Sequence, residues 1–508
     1  MQLKKEEKWL LVIFFCLLAF RLFFALKTGT FLDDVSYFNL RQILQISKTG
    51  LPILKGDLSY SGGNIIFLPE MHYISAAVYL IFGKFVPIDI LFKVFMNVCA
   101  SAIVIVVYLA CLYMSRDRKA SLLAALAAGF SPIFISETVN RISTFSISIP
   151  MNFLMFYFFM RSGTERSFVK YFLITLIFCA FLDSTIFIFL IAMVFYLLLI
   201  EIEELKESVA RYELIFFSII FVSLLNFLVF KNALLVHGLG IIWRNLPAEV
   251  IARYFQRMNI IDIIYKVNVI PFLTGIYVLY IFAVREKRKN ILLLAAICFT
   301  VLALLWLRLI EFNAGLILLG IVFALLFGYF YKTFFLYIEK TKIVSLKKFL
   351  SIALLSLLII ISLIHSYAYA KESVQNSVSK EELNALSFLK EKLLNESSDS
   401  TVVSAPSSGY IISYFTQTRN VIDTNFLQIE HVNERYDDVK QVYTTPYETT
   451  AIKLLEKYNV DFIYFSGREK NEFNVEELKY VNDEKCFKLI YNNTIKIYQS
   501  LCRLKQVY

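Results

Sequence analysis

Two adjacent acids, Asp33 and Asp34 in the segment FLDDVSYFNLR from Phe31 to Arg41, come only a few residues after a long apolar run. Carboxylates so placed can bind a divalent cation, which favours oxygen ligands, or act as a general base on an acceptor hydroxyl or amide. They can also do neither, ending a helix and facing water. A second candidate is Arg308 with Glu311 in WLRLIEFNAG. The planar guanidinium stays charged and bonds two phosphate oxygens at once, although an Arg at the end of a span also serves as a plain anchor paired with a nearby acid. The stretch 232–268 interleaves His237, Arg244, Arg253, Arg257 and Lys266 with Trp243, Tyr254 and Phe255. That mixture suits a loop covering a phosphate-bearing lipid, and equally an amphipathic helix resting on headgroups.

The elements that must position these residues follow from composition. The chain has 508 residues, 58% hydrophobic and 18% charged, whereas soluble domains run to about 45–50% apolar and about 25% charged. A polytopic membrane protein is expected and a soluble cytosolic enzyme is excluded. The net charge of +10 does not indicate nucleic acid, because the basic residues sit in short clusters between apolar runs, as cytoplasmic loops hold them. With about 20 apolar residues per crossing, the sequence reads as eleven spans, near 9–27, 91–114, 119–136, 147–161, 168–182, 184–201, 212–231, 267–284, 290–307, 312–331 and 349–365. A cytoplasmic N-terminus then puts Arg116, Arg118, Lys119, Arg161, Arg166 and the cluster Arg285 to Lys289 inside. This requires that the apolar stretch 65–82, with Pro69, Glu70 and His72 near its start, lie in the outer interface without crossing.

On that topology the outer face receives a first loop, 28–90, a second large loop, 232–268, and everything after residue 366. The expected division is a transmembrane domain over 1–366 and an extracytoplasmic soluble α/β domain over 367–508. In the tail, Glu381 to Leu394 reads as an amphipathic helix, Val402 to Ala405 and Asp461 to Phe465 as strands, and Glu448 to Tyr458 as a helix. Phe487 to Tyr491 and Ile495 to Tyr498 read as a hairpin turning at Asn492 and Asn493. A two-residue turn there does not set Cys486 opposite Cys502, which weighs against a disulfide between them. Two glycosylation sequons begin at Asn395 and Asn492.

The segment Asp33, Asp34 and Tyr37 resembles the first outer-loop motif of the GT-C glycosyltransferases, polytopic membrane enzymes that use polyprenyl-phosphate-linked sugars, and most closely their protein O-mannosyltransferase and aminoarabinose-transferase branch. Asp34, Tyr37, Phe38 and Arg41 correspond more loosely to the oligosaccharyltransferase catalytic subunits. LPEMHYISAAVYLIFG, from Leu68 to Gly83, is similar to the interfacial helix that follows this motif, with Glu70 and His72 in its first turn. SPIFISETVNRISTFS, from Ser131, resembles the approach to the second acidic position. Where many members carry an Asp, this chain has Asn140, Ser143, Thr144 and Ser146, with Glu137 the one nearby acid.

The resemblance implies a GT-C-like membrane glycosyltransferase that moves a sugar from a polyprenyl phosphate or pyrophosphate donor to an acceptor protein, lipid or glycan on the outer face. Asp33 and Asp34 are then catalytic, and Tyr37, Arg41, Arg308, His72 and Glu70 bind substrate or lipid phosphate. Either Asp34 and Glu137 hold a divalent cation, Mn or Mg, or the reaction is metal-independent. The alternatives are a transporter or lipid-handling protein, for which the expected pair of Gly- or Pro-broken helices is missing, and an inert GT-C-like scaffold.

Overall fold

The computed structural model describes residues 5–60, 62–243, 245–254, 259–342, 344–396, 400–427 and 429–504. Helices occupy all eleven stretches read as spans. By length and apolarity six helices among the described residues qualify to cross a bilayer, and up to eight if each of two bent helix pairs is one span. Others are shorter, such as Phe168–Leu182 and Ile186–Ile202, so the expected count of eleven exceeds what length and apolarity together support. Helix Glu70–Phe82 has 13 residues, about 20 Å at 1.5 Å per residue, well short of a bilayer core of about 30 Å.

Both bends have local causes. Helix Arg118–Gly129 is broken from Pro132–Thr138 at an angle of 47°. The proline ring cannot donate to the preceding turn, and it pushes Ser131 to extended geometry. Helix Ile260–Val267 turns by 93° into the next helical segment, 269–283. The corner is Asn268, at φ 93°, whose amide donates to Ser362 Oγ at 2.7 Å. The centre of the bundle is helix Phe312–Glu339, almost wholly enclosed by its neighbours. A Cβ at Gly328 would meet Cys111 Sγ at 2.5 Å and Ala124 Cβ at 2.9 Å, so this glycine lets three helices approach closely.

All five strands of the sheet lie in the tail: β1 Thr401–Val403, β2 Arg419–Asn420, β3 Phe462–Phe465, β4 Phe487–Asn492 and β5 Lys496–Ser500, in the order β2-β1-β3-β5-β4. β1 runs parallel to β2 and β3, and β5 pairs antiparallel with β3 and β4. Strands β1 and β3 are buried throughout, as expected of strands covered on both faces. Val402, Phe462, Tyr464 and Ile497 on one face pack with Leu386 and Leu389 of helix Lys380–Glu396 and with Phe31, Tyr37 and Leu40 of the first loop. Val403, Ile463, Phe465 and Tyr498 on the other face pack with Tyr436, Tyr443 and Leu455 of helices Val432–Thr444 and Glu448–Lys457. The period-2 alternation thus sends one face toward the membrane helices and the other away.

Two local readings are corrected. The hairpin turns over residues 493–495, with a register shift between Leu489 and Tyr491. That moves the pairing along by two to three residues, brings Leu501 N onto Cys486 O at 2.9 Å, and joins Cys486 to Cys502 in a disulfide with Cα atoms 4.7 Å apart. The last apolar helix runs on through residue 366 to Gln375, so the change of composition occurs within a helix. The sequon at Asn395 falls partly outside the described residues.

Candidate functional site

Asp33 sits just before helix Asp34–Thr49, as its N-cap in extended conformation, and one of its carboxylate oxygens accepts from Ser36 N at 3.1 Å and from the Ser36 hydroxyl. This is the preferred use of Asp at that position. The other oxygen accepts from Arg141 Nη1 at 3.2 Å, and the same nitrogen donates to Glu137 Oε2 at 3.1 Å. The second Glu137 oxygen accepts from Asn313 Nδ2 at 2.9 Å. Three elements meet here: the start of helix Asp34–Thr49, the proline-initiated helix Pro132–Thr138 with the turn after it, and the start of the central helix. Their register is held by Leu32 N on Asn140 O at 3.1 Å, Asn39 Nδ2 on Ile142 O at 2.7 Å and Ile142 N on Ser36 Oγ at 3.0 Å. Asp33 and Arg141 keep about a quarter of their side-chain surface exposed, so reagents reach the cluster. Asn140 Oδ1 and Ser146 Oγ are buried with no hydrogen-bond partner among the described residues.

Asp34 points elsewhere. Its carboxylate is buried and accepts from Ile411 N and Thr424 Oγ1, both at 3.0 Å. Asp423 lies next to it, fully buried, taking the Ser59 hydroxyl and Asn425 N at 2.9 Å. Burial, together with repulsion from Asp423, holds the Asp34 carboxyl well above the usual carboxylate range, and burial pushes Asp423 up to about 6. Tyr60 donates its hydroxyl to Asp423 O at 2.6 Å. Arg41 is half-buried on this side, facing Tyr410 and Asp423. Tyr37 accepts from Phe31 N at 3.2 Å and packs its ring 5.3 Å from those of Tyr414 and Phe415. His72 is buried against Phe67, with Nε2 2.8 Å from Asn39 Oδ1, and burial lowers its imidazole to about 3, so it is neutral. Glu70 is half-buried in the first turn of the same helix. Of the residues proposed from sequence, Asp33 and Glu137 come together, whereas Asp34, Tyr37 and Arg41 form the joint between the first loop and the sheet.

Arg308 lies in the turn between helices Lys289–Trp306 and Phe312–Glu339, with φ 56°. Its carbonyl accepts from Trp243 Nε1 at 2.8 Å. The 232–268 segment carries this contact and docks on the tail as well, with Asn245 Nδ2 donating to Phe426 O and Ile429 O and Glu249 paired with Lys440 at 2.6 Å. Glu311 and Lys266 are close enough to Glu137 to act on its charge. Thus the turn holding Arg308, the segment over it and the Asp33–Arg141–Glu137 cluster share one end of the bundle. Arg244, Phe255 and Arg257 lie outside the described residues, as do the side chains of Arg253 and Tyr254.

The donor set does not fit a cation shared by Asp34 and Glu137. Both Asp34 oxygens accept from the tail and both Glu137 oxygens from Arg141 and Asn313, so the charge between the acids at this end of the bundle is a guanidinium. A second acidic group, Glu448, Asp483 and Cys486, lies in the tail, and its thiol is consumed in the disulfide. Sequence reading missed Arg141 as the bridge, although it stands four residues after Glu137, the spacing that brings side chains together on a helix. It also missed Asn313 and Asp423, for which no local pattern exists.

No protein-family model matches this sequence, and no curated protein matches it either. Solved structures do. The Archaeoglobus fulgidus oligosaccharyltransferase, in a complex with Zn and sulfate, superposes with a TM-score of 0.64 at 14% identity, over 93% of this chain and 71% of that one. The same enzyme, AglB, with an inhibitory peptide and a dolichol-phosphate gives 0.64 at 13% identity, over 89% and 69%. ArnT from Cupriavidus metallidurans bound to undecaprenyl phosphate gives 0.55 at 9% identity, over 97% and 98%. The fold is that of the GT-C glycosyltransferases.

Proposed function

We propose that this protein is a membrane glycosyltransferase that takes a sugar from a polyprenyl phosphate or pyrophosphate and transfers it to an acceptor at the sheet-bearing end of the bundle, on the extracytoplasmic face. The observation that carries the reading is the Asp33–Arg141–Glu137 cluster, accessible at the bundle end where the GT-C fold, the turn of Arg308 and the covering segment 232–268 coincide. A lipid-linked donor already resides in the bilayer, so a site at its edge is where donor and water-borne acceptor meet.

In this mechanism the acceptor heteroatom attacks the anomeric carbon, its proton passes to Asp33, and the bond from that carbon to the phosphate oxygen breaks with its electron pair leaving on the phosphate. Ser36 and Arg141 hold Asp33 oriented, Glu137 and Asn313 hold Arg141, and Arg308 neutralises the leaving phosphate. Asp34 is assigned a positioning role, tying the first loop to the tail, and Tyr37 and Arg41 share it. The test is to incubate the purified protein with labelled polyprenyl-phosphosugars and candidate acceptors, with wild type set against Asp33→Asn. Transfer that depends on Asp33 supports the enzyme. Transfer undiminished in the variant removes Asp33 from catalysis, and no transfer from any donor favours the inert scaffold.

A further inference from the structure

The opposite end of the bundle holds a polar cavity. Helix Phe145–Ser162 begins beside the Asp33–Arg141 cluster and ends at Gly163, and helix Lys289–Trp306 runs back from Lys289 to the turn of Arg308. At 18 residues each, these helices separate the two places by about 27 Å. The cavity, about 450 Å³, is lined among others by Gly163, Glu207, Arg211, Arg288, Lys289 and Tyr329.

Arg211 is more than nine-tenths buried. It donates to Glu207 at 2.9 Å and to Met160 O at 2.7 Å, and its Nε has no partner among the described residues. Space for it is made by Gly163, where a Cβ would meet the guanidinium at 2.3 Å. Glu207 is itself buried and satisfied by Arg211, the Tyr196 hydroxyl at 2.5 Å and Ser208 N at 2.9 Å. That leaves Lys289, 3.6 Å from Glu207, and Arg288, which pairs with Glu286 at 2.7 Å and donates to the Tyr329 hydroxyl, as the partly exposed cations at the mouth. Three cations against Glu207 and Glu286 leave one positive charge in excess. To it is added the start of helix Lys289–Trp306, whose N-cap residue Arg288 makes no side-chain cap bond and whose first-turn residues Lys289, Asn290 and Ile291 line the cavity, so that the positive end of the helix dipole lies at its wall. A buried guanidinium in the wall, a helix start without a side-chain cap and two partly exposed cations at the rim are together the chemistry that binds phosphate.

We propose that this cavity binds a phosphate-bearing anion at the end of the bundle remote from the Asp33 cluster, whether a phospholipid headgroup or a soluble phosphate. The assignment is independent of the sugar-transfer reading, and its test measures binding alone. Full-length protein in neutral detergent is titrated with phosphatidylglycerol, phosphatidylcholine or inorganic phosphate while its thermal unfolding midpoint is followed. The midpoint is expected to rise saturably with phosphatidylglycerol and not with phosphatidylcholine. The R288Q/K289Q variant should need at least ten times more ligand for half the rise, whereas R288K/K289R should stay within threefold of wild type. The same variant-sensitive rise with inorganic phosphate identifies a soluble anion as an occupant, and a rise with the lipid only identifies the headgroup. Identical titrations for wild type and R288Q/K289Q, or an equal response to phosphatidylcholine, overturn the proposal.

Discussion

Replacing Asp423 by Asn tests the buried joint between the first loop and the sheet. A carboxyl whose value is raised in the folded state keeps a proton that the unfolded chain releases, so the folded state loses stability as pH rises through the window between the two values. For Asp423 that window runs from the ordinary 3.8 to about 6. The difference of about 2 units, at 1.36 kcal/mol each, amounts to about 3 kcal/mol, fully imposed above pH 6 and absent below pH 3.8. Asn removes this penalty and keeps an oxygen for the Asn425 N–H, at the cost of a charged acceptor for Ser59, about 1 kcal/mol. The net expectation is a gain of about 2 kcal/mol at pH 7.5, increased by the relief of Asp34, which no longer faces a second negative charge. Thermal unfolding in detergent at pH 5 and 7.5 reads this directly. The wild-type midpoint should fall between the two, and D423N should be flatter and higher at pH 7.5. A variant that melts at or below wild type at pH 7.5, beside a wild type whose midpoint does not move with pH, would refute the reasoning.

Asp33→Asn keeps the helix cap, since Asn serves there as well as Asp, so transfer should fall by about 10²–10⁴ with the unfolding midpoint unchanged; a loss below threefold counts against the base assignment. Arg141→Gln leaves Asp33 and Glu137 without their shared cation, and transfer should fall at least about 100-fold with partial recovery in Arg141→Lys, a charge without the bidentate fork. Because that guanidinium stands where a cation would, a chelator should leave transfer unchanged, and inhibition reversed by Mn²⁺ would contradict the assignment. Cys502→Ser opens a loop closed across 16 residues, which should cost the tail about 3 kcal/mol, read as a lower midpoint matched by reducing agent on wild type.

The apolar runs, the short helix over Glu70, the αβ pattern of the tail and the acidic pair at residues 33 and 34 were legible in the linear chain, because each is written in residues near one another: periodicity, length, caps and a proline at a helix start. Adjacent residues of like type cannot, however, be told apart by spacing. Asp33 and Asp34 differ by one position, but the first is the extended N-cap and the second the first helical residue, and that change of backbone sends one toward Arg141 and the other under the sheet. That outcome required the tail, some 375 residues later, to supply Ile411 N and Thr424. The bridge from Asp33 to Glu137, the Asp423 partner and the two-to-three-residue shift that joins Cys486 to Cys502 likewise depend on contacts between distant segments, or on a bulge with no compositional mark. Local sequence set which segments became helix, strand and turn; packing alone chose which of two neighbouring carboxylates meets water and which is buried.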